Sequence, residues 1–247
     1  MPATSAHDQS RPSGSAPPLS HLPLAIRVFS RIIGLCALAG CILFLTAGTT
    51  NYWEATAWLV SLFVPAMLVA VGFLVNDPGA LAHRFGSHSL SRAERSLAKW
   101  FAPLFLLAFL VPGLDMRFRW SDVEVETVPK WLALFADGMV VVGILFGGYV
   151  LRVAARVYRS GAGNHTLKLM SQGPYHIIRH PLYAASLLIW LPTPVALGSW
   201  VALPVFLIVI PFYVLRLRIQ ERALMLQVPG YANYCKRTPF RLLPFIW

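Results

Sequence analysis

Residues 173 to 183 read GPYHIIRHPLY, and an apolar run, AASLLIWLP, follows at once. Eleven positions hold Gly173, two tyrosines, two histidines, Arg179 and two prolines at the mouth of a hydrophobic segment. A residue that precedes proline is pushed out of the α region, and proline itself suits the first helical position. His180 is therefore expected at the N-cap of a helix that starts at Pro181. Unsatisfied amide donors and the positive end of the helix dipole gather at such a start, which makes it an anion site. Tyr183 lies three residues on, roughly on the same face. Gly173-Pro174-Tyr175 reads as a turn leading in. His176 and His180 are four apart, but Pro181 breaks any single helix through both, so the spacing does not suggest a metal pair.

A second cluster follows the last apolar run: Arg216, Arg218, Glu221 and Arg222. Glu221 is the one acid in the final hundred residues. Each of these residues also has a plainer role. Pro181 can simply start a helix, and Tyr175 and Tyr183 can sit in an aromatic belt. Arg179 can be one more loop cation. Arg218 and Glu221 can form an i,i+3 surface pair worth about a few tenths of a kcal/mol.

The elements that position these clusters are membrane spans. Of 247 residues, 57% are hydrophobic and 13% are charged, against roughly a quarter charged in soluble domains. A helix needs about 20 apolar residues to cross a hydrocarbon core, and its backbone must be satisfied internally there. The expectation is an all-α polytopic membrane protein with about six transmembrane helices. They fall near Arg27–Ala47, Ala55–Asn76, Leu97–Leu114, Trp131–Val153, Leu182–Leu197 and Trp200–Leu215. The last two form a short hairpin interrupted by Pro192, Pro194, Pro204 and Pro211, and a C-terminal helix and tail follow. Residues 1–22 read as a disordered tail rich in Ser, Pro and Ala. Residues 23–114 carry helices one to three, and 115–247 carry helices four to six with the tail.

The net charge of +11 is a topology signal before it is anything else, and nucleic acid is not an expected partner. Nearly all positive charge lies in the N-terminal segment, the 77–99 and 152–180 loops and the C-terminal tail. The 48–54 and 192–199 connections hold no basic residue, and the 115–130 loop holds Asp115, Asp122, Glu124 and Glu126. Both termini are thus expected in the cytoplasm, with attraction to anionic lipid as a second effect. Cys36, Cys41 and Cys235 form no CxxC pair, so neither a disulfide framework nor a zinc site is suggested. The apolar run begins late and no cleavage site follows it, so no signal peptide is expected.

GPYHIIRHPLY, an apolar hairpin with LGSW, then R-x-x-x-x-E, PGY-x-x-Y and RLLPFIW together resemble the isoprenylcysteine carboxyl methyltransferase family, among the integral-membrane phospholipid methyltransferases. GLDMRFRWS followed by VPKWL resembles bacterial members. The resemblance covers about residues 70–247. It implies an S-adenosylmethionine-dependent methyltransferase in the bacterial inner membrane, with its active site cytoplasmic and formed by residues 115–247. It also implies a lipophilic or prenylated acceptor that arrives from the bilayer. The cofactor would be held by Leu167, Lys168, Leu169, Met170, Gly173, Tyr175, His180, Pro181, Leu182 and Tyr183, with Gln220 and Glu221. Arg216 and Glu221 would face the reacting groups. The family often has two adjacent acids where this chain has Gln220-Glu221, and a GHxLV-like stretch where this chain has LKLMSQ with His165 displaced. Phospholipid or amine N-methylation is the alternative, and an NADPH-dependent sterol-type reductase, which shares the C-terminal architecture, is another.

Overall fold

The computed structural model describes residues 22–77, 92–121, 127–159 and 169–245. Among them every regular element is helical. In chain order these are α1 (Leu22–Ala47), α2 (Trp53–Asn76), α3 (Arg92–Phe118), α4 (Lys130–Arg159), a 3-10 turn (Gly173–His176), α5 (Pro181–Trp190), α6 (Thr193–Ala196), α7 (Leu203–Leu207), α8 (Val209–Gln227) and α9 (Tyr231–Arg237).

Among the described residues four segments are long and apolar enough to cross a membrane: Leu24–Ala47, Trp53–Asn76, Lys130–Val157 and Leu203–Gln227, with Pro181–Ala196 as a shorter apolar stretch. The chain is a multi-pass integral membrane protein. Leu45, Leu68, Val75 and Trp131 stand exposed on its outer surface, where hydrocarbon replaces water as the solvent. Residues 1–21 of the expected disordered tail lie outside the described residues.

The centre of the bundle is α4, which packs against α2 on one side and α5 on the other, while α1 packs on α2 and α3. Small residues set these crossings, as they do where helices meet without a hydrophobic driving force. A Cβ on Gly143 would lie 2.8 Å from Ile189 and 3.0 Å from the Ala185 carbonyl; one on Gly148 would lie 2.8 Å from Val69. Inside, Phe109 from α3 meets Trp58 at 5.3 Å and Trp190 at 6.0 Å between ring centroids, and Trp190 meets Phe206 at 4.7 Å. These rings tie the Pro-rich segment to α2 and α3.

The final apolar stretch is broken at its prolines, as the sequence leads one to expect. Pro192 and Pro194 end α5 at Trp190, and a four-residue helix follows in place of one span to Leu197. The last long helix runs on to Gln227, twelve residues beyond the expected Leu215. Between Phe212 and Val228 no proline or glycine interrupts, and Leu, Arg, Gln, Glu, Met and Ala are good helix formers. Pro229-Gly230 then stops it. Arg216, Gln220, Glu221 and Arg222 therefore project from a helix continuous with the last span rather than from a separate C-terminal helix.

At one end of the bundle a neutral hydrogen-bond network joins the connections. Asp115 accepts from the Ser121 backbone at 2.8 Å and its hydroxyl at 2.5 Å, and from the Ser199 hydroxyl. Tyr52 donates to the Leu197 carbonyl at 2.6 Å, and Trp58 donates to Thr193 at 3.2 Å. The other end carries the functional candidates.

Candidate active site

The local structure around Pro181 is the one its sequence dictates. Gly173–His176 forms the lead-in turn, His180 is the N-cap of α5 and Pro181 is its first residue. Gly173 has φ +57°, where a side chain would be strained, and a Cβ there would press on Val153 of α4 at 3.3 Å. Glycine thus lets the turn sit close against α4.

The C-terminal segment folds back over this helix start. The backbone amides of Arg179 and His180 donate to the Phe240 and Arg241 carbonyls at 2.9 and 3.0 Å. Thr238 donates its hydroxyl to the His176 carbonyl at 3.2 Å, and Tyr234 of α9 donates to the Tyr175 carbonyl at 2.6 Å. Burial pushes the Tyr234 phenol up to about 12, so it keeps its proton and remains a donor. Leu169 packs with Val228, Tyr231 and Tyr234 beneath this segment, and Met170 beside it is half-buried.

One carboxylate holds the pieces together. Glu221 of α8 accepts from Arg179 at 3.0 Å on Oε1 and from Arg241 at 2.9 Å on Oε2, and His180 Nε2 stands 3.4 Å from Oε1. The side chains of Arg179 and Glu221 are each 10% exposed. Arg179 also donates through Nε to the Thr238 carbonyl at 2.6 Å and through Nη2 to the Cys235 carbonyl at 2.9 Å. One planar guanidinium thus ties α5, α8 and α9, a job suited to its fixed fork of donors. We refer to this assembly as the clasp.

Next to the clasp lies an aromatic and cationic face. Tyr183 stands edge-on to His180 at 5.9 Å and to Tyr213 at 5.6 Å between centroids. Arg216 of α8 lies 5.9 Å from the centre of the Tyr183 ring and is otherwise exposed. Tyr213, Arg216 and Gln220 share one face of α8 by their spacing. The Oε1 of Gln220 is buried and has no hydrogen-bond partner among the described residues.

The structure therefore brings Tyr175, His180, Pro181, Tyr183 and Arg216 to one end of α5 and the neighbouring face of α8, with Gly173 just before them. Leu182 is half-buried in the first turn of α5. Leu167 and Lys168 lie outside the described residues, as does His165. Glu221 faces Arg179, His180 and Arg241, not the expected i,i+3 partner Arg218, which is exposed on another face. The plain loop-cation role open to Arg179 does not hold. Its partners Glu221, Cys235 and Thr238 lie 42, 56 and 59 positions away along the chain. No local signal marks those partners, and the adjacency of Arg179 to His180 is the single hint in the sequence. Arg241 was missed for the same reason.

A multi-pass helical protein with a polar clasp at the mouth of a proline-started helix is the class these features define. A family model described as phospholipid methyltransferase matches residues 132–231, which takes in α4 to α8 and the start of α9. The match supports the broader likeness to membrane methyltransferases. The chain is also 30% identical over 136 residues to the cobalt-zinc-cadmium resistance protein CzcN of Cupriavidus metallidurans, a stretch that is 55% of this chain and 57% of that protein. The chain thus spans little more than half the length of the relative it matches.

Proposed function

We propose that the chain is an S-adenosylmethionine-dependent membrane methyltransferase that methylates the carboxylate of a lipophilic, isoprenylcysteine-type acceptor. The observation that carries this reading is the clasp: a helix start, a basic helix and the C-terminal segment converge where a soluble donor and a lipid-borne acceptor can meet. In this reading six segments cross the bacterial inner membrane, and both termini and the clasp face the cytoplasm.

The residues present suit the cofactor. Gln220 offers a buried acceptor with no partner among the described residues, as an ammonium group requires. His180, Pro181, Leu182 and Tyr183 would hold the cofactor at the α5 start, with Leu167, Lys168, Leu169, Met170, Gly173 and Tyr175 on the approach. Bound there, S-adenosylmethionine supplies an electrophilic methyl group on a sulfonium. Arg216 grips and orients the acceptor carboxylate through charge-assisted hydrogen bonds. Alignment of the two reactants is the main catalytic requirement and contributes about 7–11 kcal/mol in well-oriented systems. The closed C-terminal segment keeps water off the site.

The structure bears on the choice between carboxylate and amine acceptors. An amine must lose a proton to a base, and Glu221 is the nearby acid. Both of its oxygens already accept from Arg179 and Arg241. We therefore assign Glu221 to positioning the clasp and favour a carboxylate acceptor, which arrives ionised. The relative's name gives resistance to cobalt, zinc and cadmium; among the described residues no three His, Cys, Asp or Glu groups come together to hold a metal ion. We take that name as a physiological setting rather than a ligand.

Thermal-shift titration of the purified protein with S-adenosylmethionine and with NADPH tests the reading. Saturable stabilisation by S-adenosylmethionine is expected. His180→Ala should weaken it by about tenfold, the scale of one lost hydrogen bond to a charged group. Arg216→Ala should leave binding intact and cut methyl transfer to a farnesylcysteine acceptor. Stabilisation by NADPH alone would overturn the proposal in favour of a reductase.

A further inference from the structure

A cleft of about 720 Å³ opens between the first halves of α2 and α4, at the end of the bundle away from the clasp. At its base lies Asp137, 4% exposed. Both of its carboxylate oxygens are buried without a hydrogen-bond partner among the described residues. Asp137 sits in an apolar helix long enough to cross a membrane, seven residues inside its start, or about 10 Å at 1.5 Å per residue. It is sixteen residues from Val153, which touches Gly173, so about 24 Å of helix separates this cleft from the clasp.

An ionised carboxylate at such a level needs a counter-charge, and none of the residues that line the cleft carries one. The lining is graded. Thr50 and Asn51 stand at the mouth, and Ser61 on α2 reaches the depth of Asp137. Val60 of α2 and Leu134 of α4 add apolar surface and are 54% and 56% exposed. Trp53 adds an aromatic ring near the mouth, a surface that favours organic cations. The volume is far beyond that of a bare metal ion, and only one carboxylate faces it.

We infer that this cleft binds an organic ammonium ion, its charge on Asp137 and its alkyl part along Val60, Leu134 and Val141. The inference does not depend on the methyl-transfer reading. A free amine and an aminophospholipid headgroup share this chemistry.

The test uses the full chain in phosphatidylglycerol nanodiscs, titrated with hexylammonium and, as a neutral control, hexanol, with Trp fluorescence and thermal midpoint as readouts. A saturable response to hexylammonium alone is expected. Asp137→Asn keeps the size and removes the charge, and should raise the midpoint concentration by about tenfold or more, as loss of a charged hydrogen bond does. Gly138→Leu should block the response as well, since Gly138 lines the cleft and a Cβ there meets nothing within 4 Å, so the added side chain enters the cleft space. Equal responses in wild type and Asp137→Asn, equal responses to hexanol and hexylammonium, or no wild-type response would each overturn the inference. If Asp137→Asn fails to assemble, an undiminished response in Gly138→Leu would do so. Repeating the titration in phosphatidylethanolamine discs identifies the source: a weakened response assigns the site to lipid headgroups, and an unchanged one to a free amine.

Discussion

Asp115 and Glu221 are both buried acids at the ends of the helix bundle, 3% and 8% exposed, and their surroundings differ in kind. Asp115 is held by the serine hydroxyls of Ser121 and Ser199 and by one backbone amide. Those donors are short and neutral, and they tie the connections around Asp115 together. Glu221 is held by two guanidiniums and faced by an imidazole, all on long or rotatable side chains. Arg241 stays 35% exposed at the rim, and Arg216 stands exposed alongside. A carboxylate surrounded by cations at a surface leaves room for a charged ligand, whereas one surrounded by hydroxyls does not. The difference separates a carboxylate that ties connections together from one set among cations beside an exposed face.

Three substitutions would break or sharpen that contrast. Arg179→Ala has the largest expected effect. It strips the principal cation from a buried acid, which costs about 3–5 kcal/mol where a buried pair is broken on one side only. The segment 228–245 should then come away from α5, seen as faster amide exchange there, and S-adenosylmethionine binding should be lost. Ser199→Ala at the opposite end should cost about 1–3 kcal/mol, since it leaves a buried acceptor short of a donor. Its thermal midpoint should fall while cofactor affinity stays at the wild-type value. If affinity fell equally in both variants, the division between the ends would be wrong. Tyr234→Phe removes one neutral hydrogen bond to the Tyr175 carbonyl and should cost about 1 kcal/mol. Exchange should quicken in α9 alone, with the ionic centre of the clasp unchanged.

Much of the scaffold was legible in the residues themselves. Apolar length and composition pointed to the helices, and His180-Pro181 marked the start of α5 because proline constrains both its own φ and its predecessor. That start and the later Arg216 and Glu221, far apart in the sequence, lie at one end of the molecule. What the sequence hid was partnership. Arg218 stood at a helical spacing from Glu221, yet Arg179 and Arg241 took the carboxylate, because tertiary contact overrode local spacing. The continuity of α8 to Gln227 was missed because the end of the apolar span was taken as a break before the C-terminal helix. Charge ends an apolar span, but only Pro229-Gly230 ends the helix itself. Asp137 was passed over although an acid within a hydrophobic run is a visible signal.

The pairing of residues 179 and 180 with residues 240 and 241 also has a temporal side. As the ribosome delivers the chain, every long apolar helix among the described residues emerges before Cys235, Thr238 and Phe240, whose carbonyls Arg179 takes up. Insertion into the bilayer can therefore be finished while the clasp is still incomplete, and a nascent chain stalled just beyond Gln227 would be a well-anchored membrane protein that lacks its closing segment.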